Sequence, residues 1–237
     1  MLDDARSEPS RSVAPSGQTP RLFVQFGCGL AAPQAWLNFD SSPRLGLERL
    51  PGVGPIAGAI GKRLFPPNVR FGDIVRGLPV ADNSADGVYA SHVLEHLSRE
   101  DVQIAIANVF KMLKPGGVFR MIVPDLAWRA ERYVRDRQAG DPNAADKFIK
   151  ACSIRDMKRA RGAVGFLRAN FGNSGHLWMY DRELMTVLLQ SAGFVDVHPC
   201  AFGDSGEPMF DQVEHPGRFV DDGEAEAALQ AKKPVRQ

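Results

Sequence analysis

The run Arg21–Phe26 (RLFVQF), halted by Gly27-Cys28-Gly29, constrains the chain more than any other feature. A short, mostly apolar run that meets small residues at once reads as a buried strand feeding a tight turn. Glycine suits such a turn because it accepts left-handed backbone and lets N–H groups approach a ligand. Trp36–Phe39, closed by Asp40, repeats the pattern, as does the brief run Val69–Phe71 before Asp73. Gly87–Ala90, Val118–Val123 and Phe194–Cys200 read as further strands. Between them, Arg99–Leu113 carries Val102, Ile106, Val109, Phe110 and Leu113 at helical spacing, and Arg182–Ala192 is a second amphipathic helix. Lys114-Pro115-Gly116-Gly117 stops the first, because proline cannot continue a helix and glycine supplies the cap turn. Strands alternating with helices predict an α/β domain on a mainly parallel sheet with helices on both faces.

The chain's 237 residues, 44% of them hydrophobic, suit one such domain over about 21–237. Residues 1–20, rich in Ser, Pro and charge, read as a disordered tail. Two segments interrupt the alternation. In 43–67, Leu50, Val53, Ile56, Ala57, Ile60 and Leu64 recur at helical spacing, which fits a lid, an interfacial helix or a helix packed on the sheet. The second, about 127–180, is polar and largely helical. No apolar run is long enough for a membrane-spanning helix, while Lys62-Arg63 beside an apolar stripe leaves peripheral membrane contact open. Cys28, Cys152 and Cys200 form no disulfide or zinc pattern, so reduced thiols and a cytoplasmic location are expected. A formal net charge of +1 argues against nucleic acid as a partner.

In open parallel sheets, ligands bind beyond the carboxyl ends of the strands, near the point where strand order reverses. The residues just after each strand are therefore the informative ones: Gly27-Cys28-Gly29, Asp40, Asp73, Ser91-His92 with Glu95-His96, and Asp125. The order Val24-Gln25-Phe26-Gly27-Cys28-Gly29, Asn38-Phe39-Asp40, Gly72-Asp73-Ile74, Leu78-Pro79, Tyr89 to His96 and Leu113 to Gly117 resembles the class I S-adenosylmethionine-dependent methyltransferases. Within them it is similar to the type 11 methyltransferase-domain group, over about Leu22 to Gly203. His176-Leu177-Trp178-Met179-Tyr180, with Leu188 to Phe194, resembles a bacterial subset associated with polysaccharide and cell-surface sugar pathways.

The resemblance implies a Rossmann-like sheet of seven strands and S-adenosyl-L-methionine as cofactor. It also implies methylation of a small molecule or cell-surface saccharide precursor, with O-methylation favoured. It assigns the methionyl part to Gly27 and Gly29, the ribose to Asp40 and the adenine to Asp73 with Ile74, and it draws Gln25, Ser91 and His92 to the cofactor side. Three departures stand out. Gln25 occupies a position commonly held by an acid, so its amide oxygen would meet the cofactor's ammonium without charge assistance. The interval from Gly27 to Asp40, with Pro33 inside it, is too short for the usual first helix of about three turns. The closing strand is faint, with Ala227–Lys233 (AALQAKK), poor in β-branched residues, its only candidate.

A hydroxyl acceptor must lose a proton, so a base within hydrogen-bond reach is expected. Asp125 has the better address and His176 the better unperturbed pKa, although Asp125 could instead cap a helix from Leu126. Trp178 and Tyr180 offer stacking groups. Lys150, Arg155, Lys158, Arg159, Arg161 and Arg168 form either a solvated helix face or a patch for an anionic acceptor. Two other functions remain open. Gly27-Cys28-Gly29-Leu30-Ala31-Ala32 fits a relaxed dinucleotide fingerprint and an NAD(P)-dependent enzyme, against which Pro33 counts. A non-catalytic S-adenosylmethionine-binding partner protein is the other. His92 and His96 have a metal-ligand spacing but lack the His-Glu-x-x-His arrangement, so a helix start and no metal is expected there. Cys28 reads as a small residue filling the turn.

Overall fold

The computed structural model describes residues 20–49, 65–153, 175–221 and 223–235. In chain order its strands and helices are β1 (Phe23–Phe26), β2 (Leu37–Asp40), α1 (Pro43–Arg49), β3 (Val69–Phe71), β4 (Ala85–Ser91), α2 (Arg99–Met112), β5 (Leu113–Pro124), α3 (Leu126–Gln138), α4 (Ala144–Ala151), α5 (Arg182–Ser191), β6 (Val195–Pro199), β7 (Val220–Asp221) and β8 (Glu224–Lys232). Short 3-10 turns lie at Leu94–His96, Phe210–Gln212 and Pro216–Arg218. Residues 1–19 of the expected tail, 50–64 of the first inserted segment and 154–174 of the second lie outside the described residues. So do Arg155, Lys158, Arg159, Arg161 and Arg168 of the basic run.

The strands run in the order β3-β2-β1-β4-β5-β8-β6, with β7 paired to β8 off that path. Pairing is parallel from β3 to β5, and β8 lies antiparallel between β5 and β6. This is a Rossmann-like, mainly parallel sheet of seven strands. Its order reverses between β1 and β4, so the crevice for a ligand opens beyond the ends of those two strands. Among the described residues no helix is long and apolar enough to cross a membrane.

Strand side chains alternate between two separate cores, as the pleat requires. Val24, Phe26, Val88, Ala90, Phe119, Met121, Ala227 and Leu229 face α2 and α5, whose Val102, Ile106, Val109, Met185 and Leu189 are buried against them. Phe23, Tyr89, Ile122 and Ala228 face the other way, where Trp36, Phe210, Val213 and Phe219 cover them. The loop segment with the 3-10 turns thus closes this part of the second face. Arg120, wholly buried in β5, pins it there with Nε 2.5 Å from Glu214 Oε1 and NH1 2.7 Å from Gln230.

Two expectations need correction. β8 is not faint but nine residues long and almost continuously buried. Its alanines are buried on both faces of the sheet, Ala228 among the aromatic rings of Phe23, Tyr89 and Phe210 and Ala227 in the other core. Lys114 to Gly117 also does not lie outside the sheet. β5 already pairs Leu113 with Ala85, and the register shifts there before Val118 meets Gly87, so these residues form an irregularity within the strand. α2 itself begins as expected, with Ser98 accepting a hydrogen bond from the Asp101 N–H at 3.1 Å.

Candidate active site

The turn after β1 packs directly against the turn after β4. Gly27 has φ +64°, and a Cβ placed on it would lie 2.2 Å from Val93 Cγ2, so no side chain fits. Residues 27–36 form turns in place of the first helix, held by Gln25, whose Nε2 donates to Ala31 O at 2.7 Å and to Asn38 Oδ1 at 2.6 Å. No helix N-terminus therefore opens at the glycines, and the feature that would receive a dinucleotide pyrophosphate is missing.

A cavity of about 200 Å³ lies at the strand ends, bordered by Gly27, Asp40, Asp73, Ile74, His92 and His96 among others. Asp40 accepts the Gly29 N–H on Oδ2 at 3.0 Å and the Ser42 N–H on Oδ1 at 2.8 Å. These bonds fix the carboxylate yet leave lone pairs for a ligand. Asp73 accepts from the Val75 N–H at 2.9 Å, and its second oxygen is 3.5 Å from Arg76 Nε. Ile74 is a buried apolar wall. Gln25 and Ser91 border a smaller recess behind the glycine turn, shared with Gly27 and Cys28. Burial, reinforced by the Asp40 charge, pushes the Cys28 thiol up to about 12, so it stays protonated and fills the turn.

His92 sits at the end of β4 with φ +54°. Its Nε2 is 3.2 Å from Arg218 O and its Nδ1 3.5 Å from Glu95 Oε1. Burial opposes its protonation, but the Glu95 carboxylate and the Arg218 carbonyl outweigh that and raise its pKa above the ordinary histidine value. A 3-10 turn follows, so His92 and His96 do not share a helix face; both rings border Glu95 instead. Glu95 O accepts the N–H groups of Leu177 (2.8 Å) and Trp178 (3.2 Å), which ties the end of the second inserted segment to this turn. His176 is thereby brought against His96, with ring centroids 5.1 Å apart. Its Nδ1 is 2.8 Å from Cys152 O. Burial lowers the His176 pKa despite the nearby Glu95 charge. The neutral ring gives its Nδ1–H to that carbonyl and keeps Nε2 as a lone pair.

A second cavity, of about 440 Å³, is bordered by His92, His176, Arg129, Tyr133, Phe148 and Glu226 among others. It shares His92 with the first. Its cationic side chains are engaged: Arg129 with Glu224 and Glu226 (both 3.1 Å), Arg132 with Glu224 (3.0 Å), Lys147 with Asp141 (2.6 Å) and Lys150 with Asp146 (2.5 Å). Asp125 is committed to α3, where Oδ1 accepts the N–H groups of Ala127 (3.0 Å) and Trp128 (3.4 Å). Of the stacking groups expected in this region, Tyr180 is wholly buried in the core and Trp178 does not border the cavity. Tyr133 and Phe148, with rings 5.4 Å apart, are the aromatic residues that border it. Both are distant in sequence from any strand end, and nothing in the local pattern marks them.

Residues 24–121, from β1 through most of β5, match the family described as a methyltransferase domain. No curated protein matches the chain. Among solved structures, a chain of the complex between the Haloferax volcanii Trm112 methyltransferase activator and a methyltransferase is 15% identical, with 94% of this chain and 86% of that one covered at a TM-score of 0.48. An S-adenosylmethionine-dependent methyltransferase of Thermotoga maritima is 16% identical, covering 90% and 82% at 0.45. One from Methanosarcina mazei is 12% identical, covering 92% and 95% at 0.48. The matched segment is similar to a methyltransferase domain and lies within the parallel part of a Rossmann-like sheet. A methyltransferase domain of this kind implies S-adenosylmethionine as cofactor.

Proposed function

We propose that the chain O-methylates a hydroxyl-rich small molecule of the saccharide or saccharide-precursor kind. The observation that carries this reading is the meeting of the two cavities at His92, with His176 bordering the larger one and its Nδ1 held by Cys152 O. The smaller cavity fits the cofactor by its donor set. Asp40 has spare lone pairs for a ribose diol, Asp73 is an acceptor for the adenine amine and Ile74 an apolar wall, and the turn at Gly27 and Gly29 leaves its backbone open to the methionyl part. Gln25, Ser91 and His92 complete that side.

When bound, S-adenosylmethionine supplies a methyl group already activated by its sulfonium. The protein's contribution is then chiefly to hold an acceptor oxygen in line with that carbon. Tyr133 and Phe148 offer faces for a sugar ring, and the ion-paired walls offer polar edges. Because the described cations are already paired, a hydroxyl-rich acceptor suits this cavity better than a polyanionic one. His176 is the acceptor-side catalytic residue, and Asp125, spent on its helix cap, positions α3.

Thermal unfolding with S-adenosylhomocysteine and with NAD tests the cofactor half. A ligand at 100 times its Kd should add about 2.7 kcal/mol, from the first compound and not the second. His176→Ala should keep that stabilisation yet slow methylation of a saccharide acceptor by about 10²–10⁴. Stabilisation by NAD alone, or loss of cofactor binding in His176→Ala, overturns the reading.

A further inference from the structure

Glu95 is wholly buried, and neither of its carboxylate oxygens has a hydrogen-bond partner among the described residues. A buried carboxylate in that condition is costly unless some other group meets it. Imidazoles surround it. His92 Nδ1 lies 3.5 Å and His96 Nε2 3.9 Å from Oε1. One donor atom each from Glu95, His96 and His176 also lie within 4.8 Å of one another.

The two rings of that trio are oriented alike. His96 Nδ1 is 3.3 Å from Gly175 O, and His176 Nδ1 is 2.8 Å from Cys152 O. A ring that gives Nδ1–H to a backbone carbonyl presents Nε2 as a lone pair, the device by which proteins aim histidine ligands at a metal. We infer that Glu95, His96 and His176 form a binding site for one divalent transition-metal ion at the junction of the two cavities.

Two imidazoles and a carboxylate suit Zn²⁺, and also Fe²⁺, Co²⁺ and Mn²⁺, better than Ca²⁺ or Mg²⁺, which prefer oxygen donors. With bonds of about 2.1 Å, tetrahedral donors stand roughly 3.4 Å apart. Binding therefore draws the trio inward by about an ångström, a movement within reach of the Glu95 torsions. Three protein ligands leave a position open, and here it falls beside the acceptor cavity that His176 borders.

The ion's role rests on the O-methylation reading; the site itself does not. An acceptor hydroxyl on the open position becomes more acidic, as water does on zinc, so acidification replaces direct proton removal by His176. The hydroxyl proton passes to water in the open cavity. The oxygen's electron pair forms the new O–C bond, and the pair of the broken S–C bond stays on sulfur as a neutral thioether.

The test uses the full chain, stripped with a chelator and titrated with Zn²⁺ by calorimetry and with Co²⁺ by visible absorption. One ion per chain is expected. Glu95→Gln, nearly isosteric, and His176→Ala should each weaken binding by more than the roughly 10–100-fold that loss of an outer-sphere partner can cause, while S-adenosylhomocysteine still stabilises both variants. Absence of stoichiometric uptake by the wild type overturns the proposal. So does undiminished uptake by Glu95→Gln, which would leave the neighbouring imidazoles, and no ion, as the counter-groups of Glu95. Ion uptake without stabilisation by S-adenosylhomocysteine would keep the site and sink the methyltransferase reading; stabilisation without uptake would do the reverse.

Discussion

Replacing Gly27 by alanine probes the contact on which the cofactor crevice is built. The added Cβ would stand 2.2 Å from Val93 Cγ2, in backbone at φ +64°. Two costs follow. Left-handed backbone costs a non-glycine residue about 1–2 kcal/mol, and forcing a methyl into filled space costs about 1–3 kcal/mol more. The sum is about 2–5 kcal/mol, or a fall in Tm of roughly 4–20 °C for a domain of this size. Gly29 supplies the control, because it has φ +54° but nothing within 4 Å of its Cβ position, so Gly29→Ala should bear only the backbone cost. The assay is urea unfolding of Gly27→Ala, Gly29→Ala, Val93→Ala and the Gly27→Ala/Val93→Ala pair. Removing the Val93 methyls should return the steric share as a coupling of about 1–3 kcal/mol. Affinity for S-adenosylhomocysteine should fall in Gly27→Ala as well, since a displaced Val93 moves His92 and Glu95. Equal destabilisation of the two glycine variants, with no coupling to Val93, would refute the packing of the β1 turn on the β4 turn.

Asp40→Ala should weaken S-adenosylhomocysteine binding at least tenfold, because hydrogen bonds to a charged group are each worth about 1.5–3 kcal/mol. It should also lower stability modestly, since Asp40 ties down the Gly29 and Ser42 N–H groups; unchanged affinity by calorimetry would remove it from the ribose. NMR titration of the metal-free chain should place His92 above and His176 below the ordinary histidine pKa of about 6.5. His92, with a raised pKa, stabilises below the unfolded value, and that contribution is lost as pH rises through its folded pKa. His176, with a depressed one, stabilises above the unfolded value and loses its contribution as pH falls through its folded pKa. The opposite order of the two rings would contradict the burial of His176 and the carboxylate beside His92.

Much of the fold was legible because its determinants are local. The apolar runs at Phe23–Phe26, Leu37–Asp40 and Val69–Phe71 are short, end on glycine or aspartate, and need no partner to be recognised. The missing first helix was equally readable, since chain length between Gly27 and Asp40 sets a limit that tertiary structure cannot lift. The stripe of α2 is spaced within a few residues, and the expected helix matches the observed one to within one residue at its end.

The sequence by itself thus determined the order of strands and helices and the acids that follow β2 and β3. Tertiary structure alone decided what those residues meet. β8 looks weak in isolation because strand preference reflects packing more than backbone, and its partners β5 and β6 and the two cores it enters are all distant in sequence. Asp125 reads as base or cap from the sequence, and only the fold brings the Ala127 and Trp128 N–H groups onto its Oδ1. Tyr180 looked like a sugar-stacking group until the bridge it makes with Asp125 carried it into the core. Glu95 and His176 lie far apart in the chain, and no spacing rule joins them. They meet because the Glu95 carbonyl holds Leu177 and Trp178, a contact between distant segments that exists only once the sheet has formed.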